Sequence, residues 1–300
     1  RRMKNGLRLL SCDLKVLEAF RLANRAMLLQ QIAAKSLDKR KIIYDAASRS
    51  VRPVGPFKSP AELLKLRVEE GQMFGKWRAF QIAFLLMSIE GVSLPSSTDR
   101  ETVDLIWFPT GGGKTEAYLG VMSYLMFYKR LADEKSSQGH GTVALMRYTL
   151  RMLTTQQFQR ASSLICAMEQ MRREDEAKLG EPVFSIGLWL GGAGSPNTTK
   201  AAKTVINRFK DDKIKGNPLV LTECPWCRCS IGMAEGSQPP KMKTREWKDL
   251  RLGGVQQDGE IPRLVCPDFA CDFGKRDPKK WIPVEVVDEL IYNSPPSLVI

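Results

Sequence analysis

The sequence predicts an α/β fold built on a parallel sheet, on three observations. Short apolar runs alternate with helical patterns after Asp104. A glycine loop, PTGGGKT (Pro109 to Thr115), separates one of these runs from the helical pattern that follows. The alternation then breaks between about Glu223 and Trp281, where cysteines, prolines and charged residues take over. Strand, helix, strand, helix in one chain implies parallel strands covered on both faces.

From Gly6 to about Lys35, Leu10, Leu14, Leu17, Phe20, Leu22, Ala26, Leu28 and Leu29 recur at helical spacing, giving a long amphipathic helix or a broken pair. VRPVGPFKSP, Val51 to Pro60, has three prolines and a glycine and reads as a linker. A second helical segment runs from about Lys76 to Glu90 and carries Trp77, Phe80, Phe84 and Leu85. The expected strands are Val103 to Phe108, Thr142 to Tyr148, Phe184 to Leu190 and Leu298 to Ile300, with helices at Lys114 to Ala132 and Leu150 to Arg173. These divide the chain into a helical N-terminal region (1–70), an α/β lobe (71–222, resuming at 282–300) and a cysteine-rich insertion (223–281).

A composition of 43% hydrophobic and 26% charged residues excludes a disordered chain. No apolar run reaches the roughly 18 residues of a membrane span; Phe80 to Ile89 is too short, no secretory signal is visible, and no membrane partner is expected. Forty-six Lys and Arg against thirty-three Asp and Glu give a net charge of +13, which draws polyanions, nucleic acid first. Composition alone describes a merely soluble basic protein equally well. Grouped rather than scattered cysteines fit a reducing cytoplasm. The chain starts at Arg1 without a methionine and stops within an apolar run at Ile300, so it reads as a fragment.

The glycine loop sits in strand, loop, helix order. There, successive backbone N–H groups can curl around a phosphate, and only glycine lets the chain pass that closely. Gly111, Gly112 and Gly113 form the cradle, Lys114 reaches the β and γ phosphates, and the Thr115 hydroxyl holds Mg²⁺, making ATP the expected ligand. Phe108 departs from the general phosphate-loop pattern, which has glycine at that position. The bland alternative is a glycine turn beside an unrelated lysine.

Cys224-Pro225-Trp226-Cys227 and Cys266-Pro267-Asp268-Phe269-Ala270-Cys271 form two knuckles. Four thiolates in pairs suit tetrahedral Zn²⁺ and leave no open coordination position, so the metal is structural. Cys224, Cys227, Cys266 and Cys271 are the expected ligands, with Cys229 as a substitute and free or redox thiols as the alternative. Lys241, Lys243 and Arg245 in this segment suit either a DNA contact or a solvated loop. Cys12 and Cys166 read as core residues. His140 is the only histidine, and with no partner in sequence it is not expected to be catalytic.

Pro109 to Thr115 resembles motif I of superfamily 2 helicases, which accept the Phe108 departure. WRAFQIAFLL (Trp77 to Leu86) resembles their Q motif region and implies that Gln81 reads the adenine edge beside Phe80 or Trp77, although a buried amphipathic helix explains the same residues. LMRYTLRMLTTQQFQR resembles the segment that touches the backbone of a single DNA strand. It suggests Arg147, Thr149, Arg151, Gln156 and Gln157 for that role, with a solvated helix face as the alternative. SIGLWLGGAGSPNT looks like the glycine motif that follows and adds Gly192, although a loop capping a helix at Ser195 or Asn197 suits it as well.

Together these segments are similar to the superfamily 2 helicases of DISARM-type bacterial anti-phage defence, over most of residues 75–210 and again at the cysteine segment. The resemblance implies a RecA-like lobe and ATP-dependent helicase or translocase action on DNA, single-stranded or duplex with a single-stranded end, and a DrmB-like partner subunit. The acid that completes ATP hydrolysis in such proteins has a weak counterpart in Val284 to Glu289, and is expected beyond Ile300. The competing function is a zinc-stabilised DNA-binding module without ATP turnover. A small-molecule P-loop kinase would need neither the charge nor the arginine-bearing segment.

Overall fold

The computed structural model describes residues 1–300 other than 36, 72–74, 108, 110, 133–140, 148–150, 192–193, 215–217 and 219, with the backbone alone at 151–154. The N-terminal periodicity resolves into two helices, α1 (Arg2–Cys12) and α2 (Leu14–Lys35). Asp13 makes the break: its Oδ1 accepts the amides of Lys15 at 2.8 Å and Val16 at 3.1 Å, satisfying orphan donors at the start of α2. The 1–70 region is not wholly helical. Ile42, Ile43, Tyr44 and Val51 favour extended backbone, and β1 (Ile42–Asp45) pairs antiparallel with β2 (Ser50–Pro53). Helix α3 (Pro60–Glu69) opens on a proline, whose missing N–H costs nothing there.

Next come α4 (Ala79–Ser93), α5 (Lys114–Ala132), β3 (Ala144–Leu145), α6 (Arg151–Glu174), α7 (Glu176–Leu179), β4 (Ile186–Gly187) and α8 (Thr199–Lys210). The cysteine segment holds two antiparallel pairs, β5 (Gly232–Met233) with β6 (Leu252–Gly253) and β7 (Val255–Asp258) with β8 (Ile261–Leu264), and helix α9 (Thr244–Leu250). After it come β9 (Val284–Glu285), α10 (Asp288–Asn293) and β10 (Leu298–Val299).

The central sheet is parallel, ordered β3-β10-β4-β9, with Leu298 opposite both Ala144 and Ile186, and Ile186 opposite Val284. The expected mixed α/β fold with a parallel sheet is present, in strands shorter than the apolar runs suggested. Residues 103–107 differ more: they form no strand, and Val103, Leu105 and Trp107 are 94%, 87% and 88% exposed. Their apolar run is strand-like, but a strand needs a paired neighbour, and the four-stranded sheet forms without them.

The N-terminal helices belong to the core. Helix α2 packs its small face (Ala19, Ala23, Ala26) among α5 and α6, and α1 lies on α4. Helix α6 is tied to β4 by Glu169, fully buried, whose carboxylate accepts Arg172 twice at 2.8 Å, Arg173 at 2.9 Å and the Phe184 amide at 3.1 Å. Phe127 on α5 meets Phe184 edge-on at 5.4 Å. Among the described residues no helix is long and apolar enough to cross a membrane.

Candidate functional site

The glycine loop leads directly into α5. Gly111 and Gly113 take φ of 77° and 86°, a region that costs an L side chain about 1–2 kcal/mol. A Cβ on Gly113 would also stand 2.6 Å from Gln81 Nε2, so two constraints select glycine there. The Gly112 amide donates to the Pro109 carbonyl at 3.1 Å, and Lys114 Nζ reaches the same oxygen at 3.1 Å.

Helix α4 braces the loop from one side. Arg78 Nη1 donates to the Gly112 carbonyl at 2.7 Å, and Gln81 Nε2 donates to the Gly113 carbonyl at 2.7 Å. The Gln81 Oε1 accepts the Arg78 amide at 2.8 Å, which fixes the orientation of the side-chain amide. In a trans peptide the C=O and the next N–H point in opposite directions. Turning these two carbonyls toward α4 therefore turns the amides of Gly113 and Lys114 away from it.

A cleft of about 990 Å³ opens on this loop. Its walls come from the loop and the start of α5 (111–116), from α2 (Asn24, Gln31, Lys35), from Trp77, Arg78 and Gln81, and from Gln157 and Arg160 of α6. The size lies at the upper end of the roughly 300–1,000 Å³ of small-molecule sites. Trp77 is held by its indole N–H on Asn24 Oδ1 at 2.7 Å, and packs where a Cβ on Gly120 would stand 2.8 Å from its ring. Arg160 forms an ion pair with Glu116 across the cleft wall, and burial pushes the Arg160 pKa down.

Of the residues the sequence assigned to DNA, Arg147 and Gln156 are exposed. Gln157 instead lines the cleft, its Oε1 buried without a hydrogen-bond partner among the described residues. Arg151 opens α6, with its side chain outside the described set, as are Thr149, Gly192 and the remote candidate His140. Asp288 and Glu289 do not line the cleft: Asp288 accepts Ser195 Oγ at 3.3 Å, and Glu289 accepts the Thr199 amide at 2.8 Å. Burial raises the Asp288 pKa.

The second constellation is the cysteine cluster. Cys224, Cys227, Cys266 and Cys271 are all buried, their sulfurs within 4.8 Å of one another, and Cys227 and Cys266 lie 3.4 Å apart. A tetrahedron of about 2.3 Å Zn–S bonds spaces its sulfurs about 3.8 Å apart, so the four thiols are placed to hold a zinc ion. Cys229, the substitute ligand, lies outside the group. Hydrogen bonding from Cys224, then Cys266 and Cys271, pulls the Cys227 pKa down, whereas burial pushes the other three thiols up.

Sequence reasoning missed Arg40. Its guanidinium donates to Asp268 Oδ2 at 2.7 Å and to Cys227 Sγ at 3.2 Å. Burial works against its charge, yet the Asp268 hydrogen bond and the nearby negative groups hold its pKa above the ordinary value. No motif spacing could reveal a partner 187 residues upstream of the cysteine it touches.

No protein-family model matches the chain. A DISARM protein DrmA from Bacillus paralicheniformis is 37% identical to it over 234 residues, covering 75% of this chain and 19% of that protein.

Proposed function

We propose that this DrmA-like chain is a RecA-like ATP-binding lobe of an ATP-dependent DNA helicase or translocase in a bacterial phage-defence complex. The observation that carries the reading is the bracing of the glycine loop: Arg78 and Gln81 hold the Gly112 and Gly113 carbonyls toward α4, so that the peptide amides that follow face away from it, the orientation a phosphate cradle needs. Lys114 balances phosphate charge and Thr115 supplies a hydroxyl ligand to Mg²⁺. Bound ATP supplies a phosphoanhydride whose cleavage can drive motion. The remaining donor and acceptor capacity of Gln81, beside Trp77, suits an adenine edge.

DNA contact fits the exposed Arg147 and Gln156 around the start of α6, together with Thr149, Arg151 and Gly192, under a net charge of +13. The Glu116–Arg160 pair joins the helix behind the phosphate loop to α6, linking a nucleotide site to a DNA site. Glu116, the carboxylate among the described cleft residues, is occupied by Arg160, so turnover is expected of the full-length protein with its second lobe and partner subunits.

The test is Lys114→Ala in the full-length protein. Loss of ATP-analogue binding and of ATPase activity is expected; unchanged ATPase refutes the assignment. A zinc-stabilised DNA-binding module would instead bind DNA and show no analogue binding that depends on Lys114.

A further inference from the structure

Arg40 comes from the connector between α2 and β1, far in sequence from either cysteine knuckle, and is fixed on both its backbone and its side chain. Its amide donates to the Arg228 carbonyl at 3.1 Å, and its carbonyl accepts the Ser230 amide at 2.8 Å. The strand that follows continues the attachment, with the Tyr44 amide on the Glu235 carbonyl at 2.9 Å and the Glu235 amide on the Ile42 carbonyl at 3.0 Å. The first knuckle therefore has the N-terminal hairpin segment as its neighbour along the Arg40–Cys229 and Ile43–Glu235 bridges.

The side chain then spans the two knuckles. One guanidinium nitrogen donates to Cys227 Sγ of the first knuckle at 3.2 Å, and the other to Asp268 Oδ2 of the second at 2.7 Å. Asp268 is itself locked, its Oδ1 accepting the Ala270 amide at 2.9 Å, and its own amide lies 3.4 Å from Cys266 Sγ. Both side chains are nearly buried, at 11% and 8% exposure, and the guanidinium lies over the Phe57 ring at 6.0 Å. A planar fork presents these two bonds from separate nitrogens at a fixed spacing, whereas an ammonium is a single compact point charge without that geometry.

On the reading that the four cysteines hold zinc, we infer that Arg40 is a positioning residue of the metal centre, clamping the knuckles together and hydrogen-bonding the Cys227 thiolate, so that the centre is completed from outside the cysteine segment. Four thiolates around Zn²⁺ carry excess negative charge in a buried place. A charged donor on one sulfur lowers that cost, and groups that hydrogen-bond metal ligands typically contribute 10- to 100-fold in metal affinity.

The test uses the full-length protein and zinc itself. Arg40→Ala is expected to weaken zinc retention against a competing chelator by roughly 10- to 100-fold. Arg40→Lys keeps the charge but loses the fixed fork that spans the two acceptors, and should retain zinc at an intermediate level. In the Co²⁺-substituted chain the sulfur-to-cobalt charge-transfer band should move to lower energy in Arg40→Ala, and stay in place in Lys41→Ala, which leaves the sulfur contact intact. A shift in Arg40→Ala that Lys41→Ala lacks separates sulfur bonding from general loosening. If Arg40→Ala fails to fold, Arg40→Lys carries both measurements. Zinc retention and band position unchanged in these variants overturn the inference about Arg40. A wild-type chain that binds no zinc overturns the metal reading instead, which metal analysis shows before any variant is made.

Discussion

The side-chain amide of Gln81 holds the Gly113 carbonyl at 2.7 Å while its oxygen accepts the Arg78 amide at 2.8 Å, so one residue of α4 fixes both its own helix start and the glycine loop. Gln81→Glu keeps the size and the acceptor for Arg78, but sets a carboxylate against the Gly113 carbonyl. Losing one such bond costs about 1.4 kcal/mol, so ATP-analogue affinity of the full-length protein should fall roughly tenfold. Titration calorimetry checks this, and unchanged affinity would mean that the loop holds its shape without the brace.

Glu169 is a stability site with no part in the cleft. Its buried carboxylate faces Arg172, Arg173 and the Phe184 amide, and removing it leaves buried N–H groups of both guanidiniums and the Phe184 amide without their acceptor, with Glu176 as the carboxylate still on Arg172. Glu169→Ala should therefore cost about 2–3 kcal/mol in chemical denaturation, since Arg172 keeps Glu176 and both arginines keep carbonyl acceptors. Glu169→Gln, which keeps one acceptor but turns N–H groups toward the arginines, should fall between it and the wild type.

Asp104 ties the segment before the loop to the N-terminus, accepting Arg2 Nη1 at 2.6 Å and Nη2 at 2.9 Å. The Arg2 hydrogen bonds hold the Asp104 pKa below its ordinary value. A depressed carboxylate pKa contributes stability that is full above the unfolded pKa and lost as pH falls through the folded one. The melting temperature of Asp104→Asn should accordingly lie below wild type at neutral pH. That difference should close as the solution is acidified below the usual carboxylate pKa of about 3.9. A constant difference across that window would show that the bridge does not titrate as described.

Local signals carried much of this molecule. Lys114 opens α5 and Arg151 opens α6 within a residue of where apolar periodicity places those helices, and the four cysteines gather as their pairing suggests. What stayed hidden depends on distant partners. The Gln81 bond to Gly113, the Arg40 fork and the Glu169 cluster join residues whose spacing has no period to read. Val103, Leu105 and Trp107 show the opposite failure, since a strand-like pattern does not specify a neighbour to pair with. The early hairpin escaped notice because the prolines beside it outweighed four β-favouring side chains.

Arg40 and Asp268 are 228 residues apart. A ribosome adding roughly 5–20 residues per second needs on the order of 10–45 s to make that stretch. For that interval the Arg40 guanidinium lacks its Asp268 partner, so the fork between the hairpin segment and the second knuckle closes only after the later residues have been made.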